Sequence, residues 1–147
     1  MRFLLDTNVI TEVAKPRPNA RVLNWLLAHE VASGVPSVAV AERYQGAHNA
    51  PKEHRVRLLA EVDHFIREFG ETVVPFDAEA AKVWGEYVSR PALKQKPRSY
   101  PDTQIAAIAL SRGLTVVTRN TQDFPEVPVL NPFEKSLQKY LNGRVSK

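Results

Sequence analysis

Short apolar runs alternate with helix-period segments along this chain, and that alternation limits the fold more than any other feature. A run such as Phe3-Leu4-Leu5 or Leu114-Thr115-Val116-Val117 is too short for a helix and has almost no polar face. Such runs fit strands buried on both sides, and the segments between them fit covering helices, so a parallel sheet layered with helices is expected. Arg2 to Leu5 reads as the first strand and Asn8 to Lys15 as a short helix stopped by Pro16 and Pro18. Asn19 is placed to cap a second helix, with Val22, Leu23, Leu26 and Leu27 on one face. Gly34 to Ser37 is a turn or very short strand before a helix carrying Glu42.

Arg55 to Phe69 has the strongest helical stripe, Leu59, Val62, Ile66 and Phe69, with Gly70 placed to end it. Thr72 to Pro75 reads as a strand, and Asp77 as the cap of a helix burying Ala80, Ala81, Trp84 and Val88. A Pro- and Lys-rich loop follows, then a helix from Asp102 to Arg112 closed by Gly113. Leu114 to Thr118 and Pro128 to Leu130 are the last strands, and Phe133, Leu137 and Leu141 suggest a final helix or docked tail. The 147 residues suffice for one domain, 1–147, with a full core; no internal repeat or linker breaks them.

Composition narrows the chemistry. With no cysteine, disulfides, thiolate nucleophiles and Cys-type zinc sites are excluded. No stretch approaches the roughly 20 apolar residues of a membrane helix. No charged-then-apolar leader opens the chain, so a cytoplasmic protein is expected. Twenty Lys and Arg against 16 Asp and Glu leave a net charge of +4, compatible with an anionic partner. Arg90, Lys94, Lys96 and Arg98 form a run with no acid before Asp102: either a solvated loop or a basic lip for a nucleic-acid backbone. Arg43 and Arg119 are further candidate RNA contacts.

Four acids stand out from ordinary surface sequence. Asp6 closes the first apolar run, and a carboxylate at the C-terminal end of a buried strand faces the crevice where open α/β sheets place their sites. It could equally cap the next helix. Thr7 and Asn8 add short polar groups at the same mouth, able to orient Asp6 or bond a metal-bound water. Glu42 lies in SVAVAERYQG, where Val38 to Ala41 make a solvated position a poor fit, and a buried carboxylate needs a cation or donors. Asp102 opens DTQIAAIAL; alone it reads as an N-cap, but its helix runs straight into the strand preceding Asp123. Asp123 sits in TRNTQDF, with Thr118 and Asn120 as supporting or water-positioning groups.

Four clustered carboxylates repel strongly, since unit charges about 4 Å apart cost roughly 4 kcal/mol per pair at an effective dielectric near 20. Either a divalent ion occupies the site or one acid takes a proton. An all-oxygen set without histidine suits Mg²⁺ or Mn²⁺, and the natural chemistry is phosphodiester hydrolysis.

With these strings in place, the chain resembles the PIN-domain ribonucleases, in particular the VapC-like toxins of bacterial toxin–antitoxin pairs. LLDTNVI, SVAVAERYQG, PDTQIAAIAL, and TRNTQDF followed by VPVLNP match that family's segments over nearly the whole length. The resemblance implies a three-layer α/β/α sandwich with a mainly parallel central sheet and a Mg²⁺- or Mn²⁺-dependent endoribonuclease. It implies catalytic and metal roles for Asp6, Glu42, Asp102 and Asp123, supported by Asn8, Thr118 and Asn120, to which the residue reading adds Thr7. It also implies a homodimer restrained by a cognate antitoxin, which in the family often inserts a peptide near the acids. Tyr44 and Gln45 depart from the family's usual residues after Glu42-Arg43, which bears on substrate or antitoxin contacts rather than on the metal. The alternative is a catalytically weak module of the same fold that binds RNA or protein. A phosphoacceptor receiver domain expects an acidic pair after the first strand, and a haloacid-dehalogenase-like phosphatase expects Asp where Asn8 stands. P-loop, GxGxxG and GxSxG patterns are missing as well.

Overall fold

The structure is a computed structural model and describes residues 1–135. Its centre is β1, Phe3–Leu5, three apolar residues buried on both faces. β1 pairs in parallel with β2 (Ser33–Pro36) on one side and β4 (Thr115–Val117) on the other. The outer strands β3 (Val73–Val74) and β5 (Val129–Leu130) complete a five-stranded sheet in the order β3-β2-β1-β4-β5. Every pairing is parallel, so the expected mainly parallel sheet is wholly parallel.

Side chains alternate across the sheet as the pleat requires. Leu4, Val74 and Val116 enter one core, with Ala80 and Tyr87 of α5 (Ala78–Val88), Leu93 of α6 (Pro91–Gln95) and Ile105, Ala106, Ile108 and Ala109 of α7 (Tyr100–Arg112). Phe3, Leu5, Val35 and Val117 enter the other, with Val9 and Ile10 of α1 (Thr7–Val13) and Val22 and Trp25 of α2 (Ala20–His29). The result is the expected three-layer sandwich. α3 (Ser37–Asn49) leaves the end of β2 directly and carries α4 (Lys52–Phe69) on its outer side. Among the described residues no helix is long and apolar enough to cross a membrane.

Several local expectations are revised. α4 has the anticipated stripe, but only Val62 is buried and Phe69 stays 41% exposed, because the helix packs chiefly on α3. Gly70 does end the helix as expected, as a C-cap whose right-handed backbone leads into a 3₁₀ turn. On α5, Ala81 is exposed and Tyr87 takes the core position, at 1% exposure. Tyr87 tolerates burial because its hydroxyl donates to the Pro125 carbonyl at 2.8 Å. The supposed Pro- and Lys-rich loop contains α6, started by Pro91 at its first position and anchored by Leu93. Leu137 and Leu141 lie outside the described residues.

From β1 the chain fills one side of the sheet through β2 and β3, then returns to fill the other through β4 and β5. The connections therefore diverge between β1 and β4, opening a crevice beyond their C-terminal ends. Asp6 and Thr118 are the residues that follow those two strands.

Candidate active site

Asp6 caps α1, and its Oδ1 accepts the Thr7 backbone N–H at 2.8 Å. Its Oδ2 accepts the Thr118 hydroxyl at 2.8 Å and the Asn8 amide at 3.2 Å. Capping and functional readings of Asp6 are thus compatible: the cap sets the angle at which the carboxylate leaves the strand. Thr118 is fully buried, and its oxygen also accepts from the Asn8 amide at 3.3 Å and the Asn120 N–H at 3.0 Å. It stands behind Asp6 as a support instead of lining the cavity. The Thr7 hydroxyl donates to Glu42 Oε1 at 2.9 Å, tying the β1 end to α3.

Asp102 lies in the first turn of α7. The helix starts two residues earlier than the sequence suggests, and Ser99 is its cap, accepting the Asp102 N–H at 3.2 Å. The Asp102 carboxylate is therefore not consumed by capping. Asp123 ends a 3₁₀ turn over Thr121–Asp123, its N–H donating to the Asn120 carbonyl at 3.0 Å.

Asp6, Glu42, Asp102 and Asp123 line one cleft of about 410 Å³, together with Thr7, Asn8 and Asn120. Electrostatics register the crowding. Burial raises the Asp6 carboxyl above the usual range, and the negative charges of Glu42 and Asp123 add to that, while bonds from Thr118 and Thr7 oppose it. Burial likewise raises Asp102, reinforced by Asp6 and Asp123 and opposed by Ser99 and Arg98. Among the described residues, however, no three acidic, His or Cys side chains converge tightly enough to form a ready-made metal cage. The donor set is all oxygen and fits a hard dication that retains much of its water and binds few carboxylates directly.

The candidate RNA contacts separate. Arg119 lines the cleft, its guanidinium 4.7 Å from the centroid of the Phe133 ring. Arg98 is engaged elsewhere: it donates to the Lys96 carbonyl at 2.7 Å and twice to the Gln122 carbonyl, at 3.0 and 3.3 Å. It therefore braces the turn carrying Asp123 against the start of α7. Arg43 rests half-buried over Phe65, 5.2 Å from the ring centroid. Lys94 and Lys96 are exposed on and just after α6, outside the cleft lining. Sequence reasoning did not assign Ser99, Phe133 or Lys15 to this region; Ser99, three residues before Asp102, carried a capping signal.

Comparison with known proteins places these features in a family context. A family model described as PIN domain matches residues 3–130. A plasmid stability protein, StbB, from Pseudomonas syringae pv. tomato is 35% identical over 137 residues, covering 90% of this chain and 99% of its own. A VapC ribonuclease, Y4jK, from Sinorhizobium fredii is 31% identical over 140 residues, covering 90% and 98%. The crystal structure of FitAcB from Neisseria gonorrhoeae superposes with a TM-score of 0.79 at 31% identity, covering 90% of this chain and 99% of that one.

Proposed function

This chain belongs to the PIN-domain family, and from that premise we propose that it is a Mg²⁺- or Mn²⁺-dependent endoribonuclease acting as the toxin of a toxin–antitoxin pair. The observation that carries the reading is the meeting of Asp6, Glu42, Asp102 and Asp123 on one cleft at the strand ends. The names of similar proteins, a VapC ribonuclease among them, support the reaction class. A relative named Toxin FitB, from Neisseria gonorrhoeae and 33% identical, supports the toxin role. In this reading Asp6, Asp102, Glu42 and Asp123 would hold the ion, few of them directly and the rest through the waters it retains. When bound, it polarises the phosphate, lowers the pKa of the attacking water and steadies the leaving oxygen.

The chain's own residues supply orientation. The Thr7 N–H, Thr118 and Asn8 hold the Asp6 carboxylate at three points, and the Thr7 hydroxyl fixes Glu42. Asn120 keeps the Thr118 hydroxyl aimed at Asp6. Arg98 fixes the turn before Asp123. The exposed Lys94 and Lys96 contribute long-range attraction for RNA. We assign the protein to the cytoplasm as a homodimer, restrained by an antitoxin that reaches the acidic cleft.

Cleavage of a structured RNA pool by purified protein in Mg²⁺ or Mn²⁺ tests this. Cutting should be lost in EDTA, and Asp102→Asn should lower turnover at least about 100-fold, the scale of removing one preorganised electrostatic contact. Full turnover in Asp102→Asn would sink the site assignment. Protein that binds RNA and never cuts, once any antitoxin is removed, would establish the binding-module alternative.

A further inference from the structure

The cleft has a second end, and its chemistry is opposite to that of the acids. Arg119 and Lys15 line this end with Phe133 and Glu12. Glu12 is already satisfied: Oε2 pairs with Lys15 Nζ at 2.6 Å, and Oε1 accepts the Asn19 N–H at 3.0 Å. Arg119 is close enough for its charge to help hold the Glu12 carboxyl below its usual range, after the larger effects of Lys15 and Asn19. Among the described residues the Arg119 guanidinium nevertheless donates to no carboxylate or carbonyl.

Its position is fixed by other means. The Arg119 N–H donates to Asn8 Oδ1 at 3.1 Å, and its carbonyl accepts the Asn131 amide at 3.3 Å. The guanidinium carbon lies over the Phe133 ring, 4.7 Å from its centroid, and the Phe133 N–H donates to Asn131 Oδ1 at 2.9 Å. A guanidinium held over an aromatic ring rather than by an acceptor keeps its N–H donors available, and their planar fork matches two phosphate oxygens. Asn8 also donates to Asp6, so one amide ties the cationic end to the acidic end at a set separation. A polyanion drawn towards four carboxylates needs such a counter-charge at the cleft's other end.

We propose that Arg119, shelved on Phe133, is the binding site for a phosphate of the RNA strand adjoining the one that is cut, and so sets which linkage enters the acidic end. This rests on the ribonuclease reading. The site takes a backbone phosphodiester and reads no base.

The test compares wild type, Arg119→Ala, Arg119→Lys and Phe133→Ala on the same bulk tRNA, with cleavage kinetics in Mg²⁺. Binding is measured in parallel on the cleavage-deficient Asp102→Asn background across a salt series. Arg119→Ala should raise KM about tenfold with a smaller change in kcat, as expected for one charge-assisted contact. It should also reduce the log–log salt slope by about 0.7, the value for one phosphate contact to a single strand. Arg119→Lys should keep the slope but recover only part of KM, and Phe133→Ala should raise KM with the slope retained. Circular dichroism confirms that each variant folds. Wild type that cuts, beside Arg119→Ala with unchanged KM and slope, overturns this inference alone. Wild type that neither cuts nor binds overturns the ribonuclease reading with it.

Discussion

At Asp6 the protein keeps a carboxylate where burial and two neighbouring negative charges all oppose ionisation. A carboxyl with a raised folded pKa contributes stability that is complete below its unfolded value and is lost as pH rises through the folded value. Metal-free protein should therefore grow less stable, through Asp6 and Asp102, as pH climbs above the ordinary carboxylate range. Asp6→Asn removes that charge and keeps an oxygen for the Thr7 N–H, but its Nδ2 cannot accept from Thr118 or Asn8, so in EDTA its Tm should fall less with rising pH than that of wild type while it cleaves nothing. Added Mg²⁺ should raise the wild-type Tm and leave Asp6→Asn unmoved. A variant whose Tm in EDTA falls with pH as steeply as that of wild type, or that still responds to Mg²⁺, would contradict the strained-carboxylate account. Cleavage, needing both groups ionised, should fade on acidification at a pH above the usual carboxylate range. All four acids are legible in the sequence because each sits in a short polar string at the end of an apolar run or within an apolar helix segment. The difference between Arg98 and Arg119 is not. It depends on which partner faces each guanidinium, the Gln122 carbonyl or the Phe133 ring, and nothing local announces either.

Elements position these side chains, and α7 shows how finely. Its cap is Ser99, so Asp102 enters the cleft from the first turn, where its own charge is favourable to the helix dipole. Ser99→Ala should cost about 1 kcal/mol of stability, the usual size of a lost N-cap. It also removes a bond that lowers the Asp102 carboxyl, so the acid limb of the cleavage profile should move to higher pH. Urea unfolding and a pH–rate series check both; an unmoved acid limb would detach Ser99 from the chemistry. Strand identity is legible because β1 and β4 are apolar almost throughout, which leaves a short segment no polar face. α6 escapes a sequence reading because Pro91 and Pro97 look like breakers, although Pro91 occupies the one helical position that needs no N–H donor. The α5 face is misleading at Ala81 and Tyr87 because the decisive contact, Tyr87 to Pro125, links residues 38 apart.

At the scale of the molecule, charge is divided by location. With the cleft's five acids (Asp6, Glu12, Glu42, Asp102 and Asp123) and two bases (Lys15 and Arg119) set apart, 11 acidic residues remain against 18 basic ones, so the rest of the chain is more cationic than a net +4 conveys. If RNA is the substrate, as proposed, a surface of that kind draws it from a distance, while the cleft decides what happens on arrival. On the proposed ribonuclease reading, Lys94 and Lys96 belong to the long-range attraction, since both are exposed and neither lines the cleft. Their joint replacement by Ala should weaken RNA binding at low salt and lower the salt slope by up to about 0.7 for each single-strand phosphate left without its cation. kcat at saturating RNA should stay unchanged, because no acid-bearing segment leans on either side chain. Arg98→Ala should behave in the opposite way. Without its bonds to the Gln122 carbonyl the turn before Asp123 is freed, so kcat falls while the salt slope holds. Binding isotherms over a salt series, run beside single-turnover cleavage, separate the two. A flattened slope for Arg98→Ala with kcat intact would return Arg98 to the RNA-binding surface and leave the Asp123 turn standing without it.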